Sequence, residues 1–221
     1  MFVAARFNGP PGSGNGGYSA GLFAGGPAGE VTLRRPPPLD TPLTVVDGTV
    51  RAPDGSVVAE VVAAAPVATA VPPVGYAEAV AAAAGYLGFT EHPFPTCYVC
   101  GPEHPDGLRI FPGPLPDGRT AAPWTVPPDV STPTVWAALD CPGGWAIIGP
   151  GRTYVLGRIA VAVHRVPVPG AECVVVGALA RAEGRKAHVH TTLYGPDGAE
   201  LARARATWLA LSAPTSPHPT S

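Results

Sequence analysis

Tyr154-Val-Leu-Gly-Arg-Ile-Ala-Val-Ala-Val163 opens a run of strand-like segments, continued by Glu172–Arg181, Ala187–Tyr194 and Glu200–Leu211. Their β-branched and alternating apolar residues fit pleated strands with one buried face. Pro196-Asp-Gly198 makes the final hairpin turn between the last two. Just upstream, Thr120–Trp124 reads as a weak strand, and Val135–Leu139 and Trp145–Ile148 as helical pieces around Gly143-Gly144.

The first half carries a similar order. Phe2–Arg6, Glu30–Arg35, Leu43–Val46 and Val57–Ala63 read as strands, and Tyr18–Ala24 as a short apolar helix after Gly16-Gly17. Arg34-Arg-Pro-Pro-Pro38 matches His164-Arg-Val-Pro-Val168, and Pro53-Asp-Gly55 matches Pro196-Asp-Gly198. The recurrence of these landmarks in one order implies an internal duplication. Between the halves, the alanine-rich Tyr76–Tyr86 predicts a helix. The expected division is a first unit at 1–66, a linker with helix and Cys-x-x-Cys-Gly segment at 67–118, a second unit at 119–212, and a disordered Pro/Ser/Thr-rich tail at 213–221.

Composition narrows the function. The 221 residues include 30 Pro and 28 Gly, which act as punctuation between periodic apolar segments. Charged residues are 14% of the chain, the formal net charge is −2, and Lys186 is the one lysine. No basic stripe is present to neutralise a phosphate backbone, which argues against nucleic acid as a partner. The apolar stretch Val61–Val71 contains Pro66 and is far too short to span a membrane. The first residues lack a basic segment followed by an apolar run, so the expectation is a cytoplasmic protein without a secretory signal. The glycines of Gly9–Gly17 are not followed by Lys-Ser/Thr, which argues against a P-loop.

Cys97-Tyr-Val-Cys-Gly-Pro-Glu-His-Pro-Asp-Gly-Leu-Arg-Ile-Phe111 resembles the Cys-x-x-Cys-Gly-x-x-Asn-Pro-x-Gly-Leu segment leading into the first strand of many hotdog thioesterases. Trp136-Ala-Ala-Leu-Asp140 is similar to the aspartate-bearing segment of tandem-hotdog acyl-CoA thioesterases, here of a bacterial branch. The resemblance covers residues 92–210; over 1–66 it rests on element order and the Gly-Gly pair. It implies an α+β fold of two hotdog units, antiparallel sheets each wrapping a central helix. A monomeric pseudo-dimer or a homodimer would follow, acting without a cofactor on the acyl thioester of coenzyme A or a carrier protein. A non-catalytic acyl-binding module is the alternative.

Within that resemblance Asp140 is the candidate base that activates water, with the N–H groups around Gly143 and Gly144 as oxyanion site. Asp is also a preferred helix cap, and a cap needs no substrate. Thr207 stands near the position of a family Gln, as an auxiliary catalytic group, and Leu156 near that of a family Ser or Thr. In the first half Asn15, Gly16 and Gly17 occupy the helix-opening, substrate-binding position. Ala24 stands where relatives carry an acid, so catalysis would be asymmetric.

Other residues divide between bland and functional readings. His92, Cys97, Cys100 and His104 offer four donors within thirteen residues, but a lone Cys-x-x-Cys among prolines is a weak zinc signal. The expectation is a structural clasp with no metal. His188 and His190 share one face of a strand without a third ligand nearby in sequence. Arg34, Arg35, Arg158 and Arg165 are solvated strand residues or contacts for coenzyme A phosphates.

Overall fold

The computed structural model describes residues 1–63, 67 and 69–211. Among these, the elements in chain order are α1 (Gly16–Ala24), β1 (Ala28–Leu33), β2 (Thr44–Val46), β3 (Thr49–Arg51), β4 (Val57–Val62), α2 (Tyr76–Ala83), β5 (Gly113–Pro114), β6 (Thr120–Thr125), α3 (Thr132–Ala138), α4 (Cys141–Trp145), β7 (Tyr154–Val163), β8 (Glu172–Glu183), β9 (Lys186–Tyr194) and β10 (Glu200–Ala210). The ten strands form one sheet in the order β2-β3-β4-β1-β7-β10-β9-β8-β6-β5, and every pairing is antiparallel. The expected tail at 213–221 lies outside the described residues.

The C-terminal strands form where the apolar periodicity places them. β1 pairs with β7, with Val31 opposite Ile159 and both fully buried, so first-half and second-half strands meet at mid-sheet. α1 packs on β1, β7 and β4 and crosses α3, whereas α4 lies against β8, β6 and β9. Their common core includes Phe23 and Val31 from the first half and Trp124, Trp136 and Leu193 from the second.

Residues 67–118 do more than link. The period of two in β6 sends Ala122 and Trp124 to this main core and Ala121 to a smaller one. There Val71, Ala79 of α2, Val174, Val176 and Tyr194 pack together on the opposite face. Tyr98 and Val99 of the same segment are buried in the main core.

Two expectations fail. Phe2–Arg6 is not a strand: Val3 makes a single bridge to Leu39, and Ala5–Phe7 forms a 3-10 turn. The backbone groups nearby find loop partners instead, with Phe7 O accepting from Asn15 and Asn8 O from Tyr98. Conversely, β3 forms because Asp47 and Gly48 both take positive φ, the conformation of a tight hairpin turn. The helix expected at Trp145–Ile148 lies earlier, as α4, and Asp140 is the break between α3 and α4.

Candidate active site

Helix α1 begins inside the protein, and the chain supplies what that position requires. Asn15 is buried and caps the helix: its Oδ1 accepts the Tyr18 N–H at 2.9 Å. Gly17 and Gly21 allow α1 to cross α3 closely. A Cβ at Gly17 would stand 2.6 Å from Asp140 Cβ and 2.8 Å from Trp136 O, and one at Gly21 would stand 2.7 Å from Trp136 Cβ.

This crossing delivers Asp140 to the start of α1. Asp140 is 2% exposed. Its Oδ2 accepts the Gly17 N–H at 2.9 Å and an Asn15 Nδ2 hydrogen at 3.2 Å. Its Oδ1 is buried with no hydrogen-bond partner among the described residues. Burial pushes the carboxyl up to about 7, further raised by Cys97, while the bonds from Gly17 and Asn15 pull it back. Such a value suits a general base near neutrality.

Asp140 borders a cavity of about 400 Å³, within the size range of small-molecule sites. Gly16, Leu33 and Leu156 form part of the wall beside α1, with Trp145, Tyr154 and Trp208 on other sides. Asp140 is the one carboxylate among the lining residues, and Arg34 and Arg35 lie at the exposed margin. Gly16, first residue of α1, carries one of the N–H groups that a helix start leaves free. A Cβ there would meet Leu156 Cδ2 at 2.8 Å.

The sequence-predicted groups thus separate. Asp140, Asn15, Gly16 and Gly17 converge. Gly143 and Gly144 do not line the cavity: a Cβ at the first would stand 2.7 Å from Thr191 Oγ1, and at the second 2.6 Å from the Trp208 ring. The pair expected to form the oxyanion site thus lies away from the cavity, and Asp140 makes no side-chain cap on its own helix. Thr207 is also displaced. Its hydroxyl meets His188 Nδ1 at 3.2 Å, while its neighbour Trp208 takes the cavity side across a register shift in β10. Arg158 and Arg165 lie away from the cavity, beside Glu30 and Asp197.

The donor set His92, Cys97, Cys100, His104 does not assemble, since His104 Nε2 is bonded to Arg6 O at 2.8 Å. Cys141 joins Cys97 and Cys100 instead, with the three sulfurs within 4.8 Å of one another. No local spacing announces that neighbour, which lies 41 residues beyond Cys100. Trp208 and Trp145 were likewise unmarked in sequence.

Over nearly the whole chain, the structure is similar to that of a presumed thioesterase from Novosphingobium aromaticivorans. The identity is 17% and the TM-score 0.59, covering 96% of this chain and 94% of the other. The fold is hotdog-like. It has one large antiparallel sheet and few helices. Partial likenesses include a Streptococcus mutans protein bound to acetyl-CoA, at 15% identity and TM-score 0.40, covering 43% of this chain and 82% of that one. A Streptococcus pneumoniae thioesterase protein with coenzyme A gives 12% and 0.41, covering 43% and 83%. No family model and no curated protein matches the sequence. Among the described residues no helix is long and apolar enough to cross a membrane.

Proposed function

We propose that this chain is a tandem hotdog hydrolase of acyl thioesters, in which Asp140 of the second unit works at the helix start of the first. The observation that carries the reading is the asymmetric carboxylate. One oxygen is fixed by Gly17 and Asn15, and the other has no partner among the described residues beside a largely apolar cavity.

The two-unit reading is supported by bonding that repeats between the halves. After β1, the N–H groups of Arg34 and Arg35 both reach Val58 O; after β7, those of His164 and Arg165 both reach Leu201 O. Val58 and Leu201 are each the second residue of a strand, β4 and β10, that follows a Pro-Asp-Gly turn.

In the proposed reaction the thioester carbonyl oxygen lies at the start of α1, facing the Gly16 N–H. Asp140 Oδ1 takes a proton from water, and the hydroxide oxygen bonds to the carbonyl carbon. The C–S bond then breaks, and the leaving thiolate recovers the proton, giving a carboxylic acid and a thiol. Asn15 is a positioning residue, since its amide is committed to the cap, Asp140 and Cys97. The acyl chain would occupy the cavity between Leu33, Leu156 and Trp208, with Arg34 and Arg35 facing a phosphorylated carrier.

Purified protein and a panel of acyl-CoA substrates with thiol detection test this. Turnover is expected in the parent, falling about 100-fold or more in Asp140→Asn, the usual worth of a general base. A folded Asp140→Asn variant with full turnover would remove Asp140 from the mechanism. Leu156 in place of a hydroxyl residue favours a second reading, a binding module. Tight acyl-CoA binding by a parent protein without turnover on the whole panel would establish that one.

A further inference from the structure

Cys97 and Cys100 sit in a turn that only glycine can close. Gly101 N–H bonds to Cys97 O at 2.8 Å, and a Cβ at Gly101 would collide with the Cys97 backbone and with Pro95 O. Cys141, at the start of α4, brings its sulfur to 4.0 Å from that of Cys97. All three cysteines are buried, all are free, and all border the cavity.

Side-chain N–H groups also converge on these sulfurs. Trp145 Nε1 donates to Cys100 Sγ at 3.4 Å, and Asn15 Nδ2 to Cys97 Sγ at 3.7 Å. His92 Nδ1 accepts the Phe94 N–H at 2.9 Å, which leaves its proton on Nε2. That nitrogen lies 3.4 Å from Cys100 Sγ and 3.2 Å from Cys100 O. Neutral thiols do not need this many donors, whereas buried thiolates do. Tetrahedral zinc with Zn–S near 2.3 Å separates its sulfurs by about 3.8 Å, close to the Cys97–Cys141 spacing.

We propose that Cys97, Cys100 and Cys141 form a three-thiolate site for a thiophilic divalent cation of the zinc class, with the fourth donor supplied from the cavity. Binding replaces the thiol protons with the cation, and the resulting net charge of −1 is met by the surrounding N–H groups. His92 acts as a donor to Cys100 and not as a ligand. The absence of metal expected from sequence rested on a lone Cys-x-x-Cys being a weak signal, and Cys141 changes the donor count. The site opens on the same cavity as Asp140, but its assignment does not rest on the thioesterase reading.

The test is titration of the reduced full-length protein with cobalt(II), followed by displacement with zinc(II). The expected result is one cobalt per chain, with an intense thiolate-to-cobalt charge-transfer band that zinc abolishes. Cys97→Ser and Cys141→Ser should each weaken binding by at least about 100-fold, the upper range for losing even an outer-shell partner. Cys173→Ser, outside the cluster, should bind as the parent does. His92→Ala should keep the three-sulfur band. A parent protein without that band at stoichiometric cobalt overturns the proposal, and this arm depends on no variant folding. Binding unchanged in folded Cys141→Ser also overturns it, and a band lost in folded His92→Ala overturns the assigned ligand set.

Discussion

At Asp140, a carboxyl is kept out of water with two donors on one oxygen and none found for the other. Its folded-state value of about 7 lies above the ordinary carboxyl range. The folded state therefore holds more protons than the unfolded chain between roughly pH 4 and 7. The contribution favours folding at the acid end and is lost as pH rises through that window. Asp140→Asn removes it. In chelator-treated protein, urea unfolding should show the parent losing on the order of 2–3 kcal/mol more than this variant between pH 5 and pH 8. Equal pH slopes would mean that water reaches the carboxylate. Asn15→Ala should cost about 1 kcal/mol through loss of the α1 cap, and turnover should fall as Asp140 loses a donor.

The carboxylate itself was legible in the sequence, beside a Gly-Gly pair, but its partner was not. Both halves offer Gly-Gly, and only the α1–α3 crossing shows that Asp140 serves the other half's helix. Thr207 illustrates a similar limit, because the register shift between Thr207 and Trp208 decides which side chain faces inward.

Among elements, β7 to β10 were readable because each is a run of nine residues or more rich in apolar side chains, with burial alternating clearly in β10 and at the start of β9. Three-residue β3 is too short to show periodicity, and its signal was the Asp47-Gly48 turn. Phe2–Arg6 has strand-like residues without a strand neighbour, so its backbone bonds go to loops. The α1–α3 contact depends on absent side chains. Gly21→Ala places a methyl 2.7 Å from Trp136 Cβ and 2.9 Å from Pro133 Cα. Overpacking of about 1–3 kcal/mol opposes a helix-propensity gain of up to about 1 kcal/mol. A net loss of stability is expected in denaturant unfolding. A more stable variant would show that α1 can shift away from α3 at no cost.

At the scale of the whole molecule, the two halves share one sheet, one main core and one site. β1 and β7 pair directly, Asp140 is bonded to Gly17, and the core runs across the join. Neither half can leave without exposing apolar surface and stranding a buried carboxylate, so unfolding should be a single transition. The sheet ends on β2, three exposed residues long, and β5, two residues long. Such short edges present few unpaired backbone groups to another chain. The chain should therefore scatter light as a monomer. Its far-ultraviolet dichroism and tryptophan fluorescence, the latter reporting Trp124, Trp136, Trp145 and Trp208 of the second half, should follow one denaturation curve. Separate midpoints for the two signals would mean that the halves fold independently. Concentration-dependent midpoints with dimer-sized scattering would place a further subunit interface on this sheet.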